Sequence, residues 1–520
     1  MKRTASSFLP LCRPAFRRTW LGVLLVLLVS APGLRAGKPV RFEDVQDASL
    51  WRLGSNAAGV RLDTVSASEA LISADGEYGA YRPASGAPVG WTAGALGRTQ
   101  THTRRFSMAG TFAFRQFTTY RHCGSMLQMP QRYPVDILEF TPGIKSRQSY
   151  SLSGVIGIPL GRGWIIGAGL NFESQNCAKR KDLRYTMYML DFALTPSVIY
   201  QTGPWAFGAS FLFERNTQGV NAERVGESGV SYDAFLDKGA YMGVSSLWTA
   251  GNVHLTEPGI SGFPIDENAF GGALQVQYAS LLIEGRYLRR AGRIGEKQQV
   301  WFNYFSDEAA LRLAWNVTVA HWLRFELQYR SSLNQENILE KVSDKGVTIT
   351  QWLGSLPIWR ERNWQARAAY TWREGPWRAD AGLGLTTDAA LSTQIYPGYA
   401  LLGEGRVGLD AALRRSLGPC DLSLTAEASK GWSSRSYRDE GGLVRPDFLA
   451  DWYEADIAYR TAPAFAVGLA VRYNFPFGLY LDLSGRYRQG FGLGKAAALT
   501  GAASDAPFRV GAALSVGYNF

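Results

Sequence analysis

One pattern recurs along most of the sequence: segments of about ten residues in which apolar and polar side chains alternate. It is clearest in the final segment, where one face carries Phe508, Val510, Ala512, Leu514, Val516, Tyr518 and Phe520. A period of two places successive side chains on opposite faces of a β-strand. The pattern recurs about 18 times, or about 14 to 16 times if ambiguous segments such as 451–475 are counted differently, so it predicts an all-β antiparallel fold.

The connections between these segments are short and long in alternation. Tight turns occur at residues 160–163, 202–204, 374–376, 418–419 and 475–478. Long connections occupy residues 118–147, 218–266 and 489–507. Short periplasmic turns on one rim and long extracellular loops on the other are typical of bacterial outer-membrane proteins. The sequence therefore predicts a transmembrane antiparallel β-barrel in the cell outer membrane.

Tryptophans concentrate at the tight turns. Six of them begin or end a predicted strand: Trp164, Trp205, Trp315, Trp322, Trp372 and Trp377. Amphipathic rings prefer the boundary between lipid and water, so this placement predicts an aromatic girdle at the periplasmic rim.

The N-terminus has the features of an export signal. Basic residues precede the apolar stretch Trp20–Val29, and small residues follow it, with a cleavage position after Ala36. We therefore expect a signal peptide over 1–36, an N-terminal periplasmic or hatch-like segment over 37–64, and the barrel over 65–520. The apolar stretch is shorter than the roughly 20 residues that a membrane helix needs.

The net charge of +11 does not indicate a nucleic-acid protein. Residues 1–36 hold six of the 55 basic residues and no acidic residue, so the remainder carries 49 basic and 44 acidic side chains. That excess is small and dispersed, whereas nucleic-acid binding needs a concentrated basic surface. The partners expected are outer-membrane lipid, lipopolysaccharide and the barrel-insertion machinery. The sequence contains no phosphate-binding glycine loop and no zinc-ligand spacing, so no cofactor or metal is expected.

The polar faces of the predicted strands carry charges of both signs. The candidates for lining the lumen are Arg286, Arg312, Arg324, Glu326, Arg367, Arg378, Asp380, Glu404, Arg406, Asp482 and Arg486. Two interpretations are open. A barrel of this size is wide enough for a water-filled channel whose charges select a solute. Alternatively, the mixed charges pair with each other in a partly plugged interior.

Cysteine and histidine positions suggest two further features. Cys123 and Cys177 lie in neighbouring predicted outer connections, where an oxidising compartment would allow a disulfide. The loop 218–266 contains Asp233, Asp237, Ser245 and His254, residue types that some barrel hydrolases use. The hydrolase is the weakest hypothesis, because polar loops commonly contain such residues, and the chain is predicted not to be an enzyme.

Two resemblances add to this interpretation. The turn Ser55-Asn56-Ala57-Ala58-Gly59 resembles the N-terminal turn of fatty-acid-transporter-like barrels, with Ala57 where those have proline; the resemblance implies a segment that can enter the lumen as a hatch. The Leu50-Trp51 start, the strand around Asp191 and the aromatic C-terminus are similar to an uncharacterised outer-membrane barrel family of Bacteroidota. Tyr518 and Phe520 resemble the signal read by the barrel-insertion machinery. These resemblances imply no substrate and no catalytic residue.

We therefore expect solute passage or uptake across the outer membrane. The alternative is a structural or accessory barrel of a surface or secretion complex. A continuous polar lumen would favour passage, a plugged lumen with large aromatic loop patches would favour the accessory role, and a His-Asp or His-Ser pair at the outer rim would favour a hydrolase.

Overall fold

The computed structural model describes most of the chain. The described residues are 41–63, 65–82, 86–129, 132–133, 135–181, 184–223, 234–239, 259–260, 263–296, 299–344, 347–393, 399–438, 447–499 and 506–520. The predicted signal peptide and its cleavage position lie outside these residues. So do Asp233, Ser245 and His254 of the hydrolase hypothesis.

Eighteen long strands form the barrel, and two short strands lie beside it. In chain order they are β1 (Ala67–Gly79), β2 (Val89–His102), β3 (Ser107–Ser125), β4 (Asp136–Gly161), β5 (Trp164–Lys179), β6 (Arg184–Thr202), β7 (Trp205–Glu223), the short β8 (Ala234–Asp237) and β9 (Gly259–Ile260), β10 (Ile265–Tyr278), β11 (Leu281–Glu296), β12 (Gln299–Asn316), β13 (His321–Asp344), β14 (Val347–Glu374), β15 (Trp377–Ser392), β16 (Tyr399–Leu417), β17 (Cys420–Arg438), β18 (Ala464–Asn474), β19 (Leu479–Gly490) and β20 (Phe508–Asn519).

Among the residues that the structure describes, the helices are few and short. They are α1 (Phe42–Ala48), α2 (Asp447–Thr461), α3 (Lys495–Leu499) and two 3₁₀ helices, Trp51–Leu53 and Ala57–Leu62. None of the described helices is long and apolar enough to cross a membrane.

Each barrel strand pairs antiparallel with the next, and β7 pairs directly with β10. The first and last strands close the sheet, with Glu69 opposite Asn519 and Gly79 opposite Arg509. Closure satisfies the backbone of every strand, which a barrel in lipid requires because no water is available to an open edge. The prediction of an antiparallel barrel of about 18 strands is confirmed.

The barrel is apolar outside and polar inside, the reverse of a soluble protein. On β11, the side chain of Ile283 is 40% exposed, whereas that of its neighbour Glu284 is only 1% exposed. The same alternation leaves Phe270 and Leu274 of β10 exposed on the outer surface. A closed barrel with an apolar exterior is the form in which β-structure spans the outer membrane.

Aromatic rings line the rim that carries the short turns. Trp164 packs against Tyr200 with ring centroids 4.8 Å apart, and Trp205 packs against Tyr278 at 4.6 Å. Trp322 departs from the predicted girdle because it faces the lumen, where only 6% of it is exposed. Its neighbour Leu323 occupies the outward position instead.

Several strands continue far beyond the membrane on the outer side. β14 has 28 residues and β13 has 24, whereas about 9–11 residues of a tilted strand cross a bilayer. The expectation of an irregular loop at 118–147 is wrong over much of its length. β3 continues to Ser125 and β4 begins at Asp136, because their outer ends are packed against loop residues in an apolar cluster.

The expectation of a strand over 451–475 is also wrong in its first half. α2 occupies Asp447–Thr461, and the barrel strand begins only at Ala464. Tyr453 and Ile457 are both buried, one helical turn apart, and Pro463 separates the helix from the strand. The alternating aromatic and alanine residues here are compatible with the period of a strand and with that of a helix. Packing inside the barrel mouth favours the helix.

Candidate functional site

Residues 41–63, which we call the plug, lie inside the barrel near the short-turn rim. Their polar contacts reach inward-facing groups around most of the wall. In chain order these groups include Gln100, Ser107, Ser197, Gln275, Glu284, Arg324, Arg378, Arg414 and Asp421. The plug is therefore attached to strands from β2 to β17, and it occupies the short-turn end of the lumen.

The turn at Asn56 is the most buried part of the plug. The Asn56 amide donates to the carbonyl oxygen of Val198 and to the side chain of Gln275, both at 3.1 Å. Its side-chain oxygen accepts from the backbone nitrogen of Ala58 at 3.0 Å and so caps the following 3₁₀ helix. An amide with four hydrogen-bonding positions suits a turn that must be satisfied by wall and backbone together.

Glycines of the wall make room for this turn. A Cβ atom at Gly167 would lie 2.5 Å from the Cα atom of Ala58, and one at Gly208 would lie 2.8 Å from the Trp51 ring. A Cβ atom at Gly157 would lie 3.0 Å from the Ala58 carbonyl oxygen. Glycine permits such close backbone approach because it has no side chain. The wall at β4–β7 is thus shaped to the plug.

A buried carboxylate anchors the middle of the plug. Glu284 accepts from the backbone nitrogen of Ser55 at 2.6 Å and from its hydroxyl at 3.0 Å. Arg312 pairs with the same carboxylate at 3.1 Å and with Glu326 at 2.7 Å. Because a buried charge needs a partner, Arg312 acts on the plug indirectly by pairing with the carboxylate that contacts Ser55.

Three arginines hold the other end of the plug. Arg373, Arg378 and Arg414, which we call the arginine row, all pair with the carboxylate of Asp44 in α1. Burial desolvates the Asp44 carboxyl and by itself raises its pKa, but the hydrogen bond and charge of Arg414, together with the charges of the other two arginines, outweigh burial and hold that pKa below its ordinary value. Asp44 is therefore ionised at neutral pH.

The outer half of the lumen is narrowed by residues that we call the outer closure. Loop residues including Met126, Tyr133 and Val135, together with Leu236 of β8, join a buried apolar cluster with strand residues from β4 to β14. α2 covers the opposite side, where Arg460 forms a bidentate pair with Glu404 at 2.8 Å. These segments narrow the mouth from both sides.

Between the outer closure and the plug lies a cavity of about 840 Å³, which we call the chamber. Its lining is rich in paired charges and aromatic rings, including Arg132, Glu267, Arg290, Glu308, Arg330, Glu361, Arg406, Tyr133, Tyr304 and Trp359. Arg290 alone bridges three carboxylates, those of Glu214, Glu267 and Glu308, at 2.6–3.0 Å. Such a lining suits a polar solute with hydrogen-bonding groups.

A hydrated wall leads from the chamber towards the plug. On strands β14–β19, the inward side chains of Arg367 and Arg486 are 55% and 54% exposed. Gly384 of β15 lies directly opposite Gly408 of β16, so neither strand narrows the lumen at that level. On β14, exposed Arg367 lies between Gln365, which lines the chamber, and Arg373 of the arginine row, so accessible inward surface lies between the two sites on this side of the barrel.

Comparison with known protein families identifies the family of the chain. The family described as "Family of unknown function (DUF6850)" matches residues 57–520. The chain belongs to this family. No curated protein matches the sequence of this DUF6850 barrel.

Solved structures of outer-membrane receptors resemble the DUF6850 barrel at low identity. The FrpB iron transporter from Neisseria meningitidis has 10% identity and a TM-score of 0.41, covering 90% of this chain and 83% of that one. A ferric enterobactin receptor from Pseudomonas aeruginosa has 8% identity and a TM-score of 0.42, covering 87% and 81%. The BauA ferric preacinetobactin receptor from Acinetobacter baumannii has 8% and 0.40, covering 88% and 80%. At these values the resemblance carries no statement about what this chain binds.

The eleven charged residues predicted to line the lumen of the DUF6850 barrel all lie on inward-facing positions, and they do not form one site. Their contacts are Arg286 with Glu214, Arg312 with Glu326 and Glu284, Arg324 with Asn316, Arg367 with Asp410, Arg378 with Asp44 and Asp380, Glu404 with Arg460, Arg406 with Ser429, Asp482 with Arg472, and Arg486 with Glu427. Arg286, Arg312, Glu404 and Arg406 line the chamber, and Arg378 belongs to the arginine row.

The disulfide expected between Cys123 and Cys177 is not formed. Both residues are buried as thiols. Cys123 lies on β3 and Cys177 on β5, with β4 between them. Two strand spacings separate such residues by roughly 10 Å, and a disulfide needs Cα atoms within about 7 Å.

Three plug and wall residues were not singled out from the sequence: Asp44, Asn56 as a lumen ligand, and Arg414. Arg414 stands beside Arg415 in a strand, and its partners become visible only when the register of β14, β15 and β16 is known. Asp44 follows Glu43 in a short helix, where nothing local marks one acid over the other. Within the described part of the chain, no group of three His, Cys, Asp or Glu side chains could hold a metal ion.

Proposed function

We propose that this DUF6850 barrel admits a polar solute across the outer membrane through its lumen, with the plug as the gate. The observation that carries the proposal is the hydrated wall between the chamber and the arginine row. The plug is held by hydrogen bonds, ion pairs and the packing of Trp51 and Ala58 against the wall. It adds no strand to the sheet, so it can detach while the barrel stays closed.

The chamber indicates what kind of solute fits. Ion pairs such as Arg330–Glu361, at 2.9 Å, and the carboxylate-rich surroundings of Arg290 make its surface polar. A long alkyl chain would gain little there, because desolvating these charges is costly. The resemblance to fatty-acid-transporter-like barrels therefore supports a hatch-type plug rather than a fatty-acid cargo. A Bacteroidota origin stays a prediction.

We also propose which molecules contact the outside of the barrel. The apolar exterior would contact outer-membrane lipid and lipopolysaccharide, and the barrel-insertion machinery would read the C-terminus. Tyr518 and Phe520 point outward with their rings stacked 5.8 Å apart, and Phe520 is 65% exposed. The proposal gives no residue a catalytic role.

A second candidate function has one observation in its favour. The outer part of the β13–β14 hairpin exposes Trp352, Leu353 and Leu356, which are 54–61% exposed beyond the length needed to span the membrane. An apolar surface outside lipid is typical of a protein contact. An accessory barrel of a surface complex would use this hairpin and would need no open lumen.

Conductance in planar bilayers tests the proposed function. We expect the mature chain to show little current and a variant lacking residues 41–63 to show a steady current, because only the variant has an open periplasmic end. Both proteins must show heat-modifiable migration as a check of barrel folding. A correctly folded variant that lacks the plug and passes no current would contradict passage through the lumen and favour the accessory role.

A further inference from the structure

The arginine row is placed by the register of three consecutive strands. Arg373 of β14 lies directly opposite Arg378 of β15, and Arg378 lies directly opposite Arg414 of β16. The three guanidinium groups therefore stand side by side at one level of the wall. Like charges directly opposite in neighbouring strands destabilise a sheet. The row consequently requires an anion in front of it.

In the closed barrel, one carboxylate serves this purpose. Arg414 contacts both oxygens of Asp44, at 2.7 and 2.9 Å, and Arg378 contacts one at 3.0 Å. Arg373 donates to the same oxygen and rests on the Trp322 ring with its guanidinium carbon 4.9 Å from the centroid. A single carboxylate thus occupies a site built from three planar donors, which match carboxylate and phosphate geometry.

The carboxylate that all three arginines share belongs to the plug, although Asp380 of the wall pairs with Arg378. Asp380 and Asp47 also pair with Arg378, at 2.9 and 2.8 Å. Arg373 and Arg414 both converge on Asp44. Movement of α1 would leave these guanidinium groups facing the lumen, at the end of the hydrated wall that starts at the chamber.

We propose that the arginine row is the exit-side binding site for an oxyanion group of the solute, a carboxylate or a phosphate, and that Asp44 occupies it in the closed state as a built-in substitute. The inference rests on the proposed function and names its substrate class. An oxyanion that binds the row only when Asp44 has left stabilises the open state by mass action. Binding of the solute to the arginine row and release of the plug are then one step, in which the oxyanion replaces Asp44.

The first test is calorimetric and does not depend on transport. Asp44→Asn removes the substitute charge while keeping the side-chain shape, so the folded variant should bind citrate or inorganic phosphate at least tenfold more tightly than the wild type. Adding Arg414→Gln to that variant should abolish the gain. Tighter binding of citrate than phosphate would identify a carboxylate ligand, and the opposite order a phosphate. If Asp44→Asn binds both anions no better than the wild type, the arginine row is not an anion site.

The second test measures current in planar bilayers. We expect citrate or phosphate to increase the wild-type current, and Asp44→Asn to conduct without them. Asp421→Asn is the matched control: it removes the carboxylate that pairs with Arg41 of the plug, but leaves Asp44 on the arginine row. The control should therefore keep its response to oxyanions.

The two proposals fail in different ways. If the variant without residues 41–63 conducts but the wild-type current ignores both oxyanions, the exchange is wrong and the proposed function stands. If the variant without the plug passes no current while Asp44→Asn binds citrate in the calorimeter, the anion site stands and passage through the lumen does not.

Discussion

Gly167 approaches Ala58 so closely that no side chain fits between the barrel wall and the plug. A Cβ atom at Gly167 would lie 2.5 Å from both the backbone nitrogen and the Cα atom of Ala58. The same Cβ atom would lie 2.7 Å from the carbonyl oxygen of Ile156 on β4. Since these contacts are with backbone atoms, a side chain there requires both the plug and the adjoining strand to shift. The plug is therefore fitted to this part of the wall, and its position can be disturbed from outside its own sequence.

Gly167→Ala should displace the plug at Ala58 and locally strain the pairing of β5 with β4 at Ile156. We expect a destabilisation of about 1–3 kcal/mol, typical of overpacking, and an increase in bilayer current. Gly384→Ala is the control, since Gly384 also faces the lumen but its nearest atom would lie 4.0 Å from the new Cβ. Equal currents from the two variants would show that the contact at Ala58 does not hold the plug.

Acidification should open the barrel only at very low pH. The pKa of Asp44 is held below its ordinary value of 3.8, so the stability that its ionised form contributes is fully present above that value and is lost as the pH falls through the lowered pKa. Current measured against pH should stay low from neutral pH to about pH 4, with Asp44→Asn as the uncharged reference. A titration of the wild-type current centred near neutral pH would assign closure to another group.

The buried ion pair of Lys179 and Glu139 should be costly to break on one side. Both side chains are fully buried, and their charged atoms lie 2.5 Å apart. Lys179→Met should destabilise the barrel by about 3–5 kcal/mol because it leaves an uncompensated buried carboxylate. Adding Glu139→Leu should recover much of that loss, as measured by the urea midpoint of tryptophan fluorescence. A double variant less stable than Lys179→Met would mean that the carboxylate has another stabilising role.

Cysteine labelling should separate the three described thiols. Cys123 and Cys177 are buried, whereas Cys420 is partly exposed at the short-turn rim. In the folded barrel we expect a maleimide to modify Cys420 first, and all three to react after urea denaturation without reductant. Mass spectrometry of the intact chain counts the adducts. If two cysteines react only after reduction, they form a disulfide and the original prediction is right.

Charge reversal on the hydrated wall should change ion selectivity in the barrel without its plug. Arg367 is 55% exposed and pairs with Asp410 at 2.9 Å. Arg367→Glu adds negative charge beside a carboxylate, so the reversal potential in a salt gradient should shift towards cation preference. Arg362→Glu, on the opposite face of the same strand, provides the control. Identical reversal potentials would place the conducting path elsewhere.

The barrel could be predicted from the sequence because its governing rule is local. Alternation with a period of two, together with turns such as Glu374-Gly375-Pro376, is visible in any short window and fixes which side chains face lipid. The same rule put Arg324 and Arg367 on the inward face. It failed at α2, where Tyr453, Ala455, Ile457 and Tyr459 alternate as in a strand but pack as a helix within the barrel mouth.

The site could not be predicted, because it depends on contacts between distant residues. Asp44 and Arg414 are 370 positions apart, and the arginine row exists only through the register of three strands. A shift of one residue in β15 would turn Arg378 towards lipid. The direction of Trp322 could not be predicted for the same reason, because a tryptophan beside a tight turn can face either the bilayer or the lumen.

The enclosure of the plug has a consequence for the order of assembly. Residues 41–63 precede β1 in the chain, yet they are surrounded by strands whose last members are made hundreds of residues later. When β20 meets β1 and seals the cylinder, Trp51 and Asn56 must already be inside or must enter through the short-turn rim. Pairing of β1 with β20 is thus linked to placement of the plug, because the plug either enters before these two strands pair or passes through the short-turn rim afterwards.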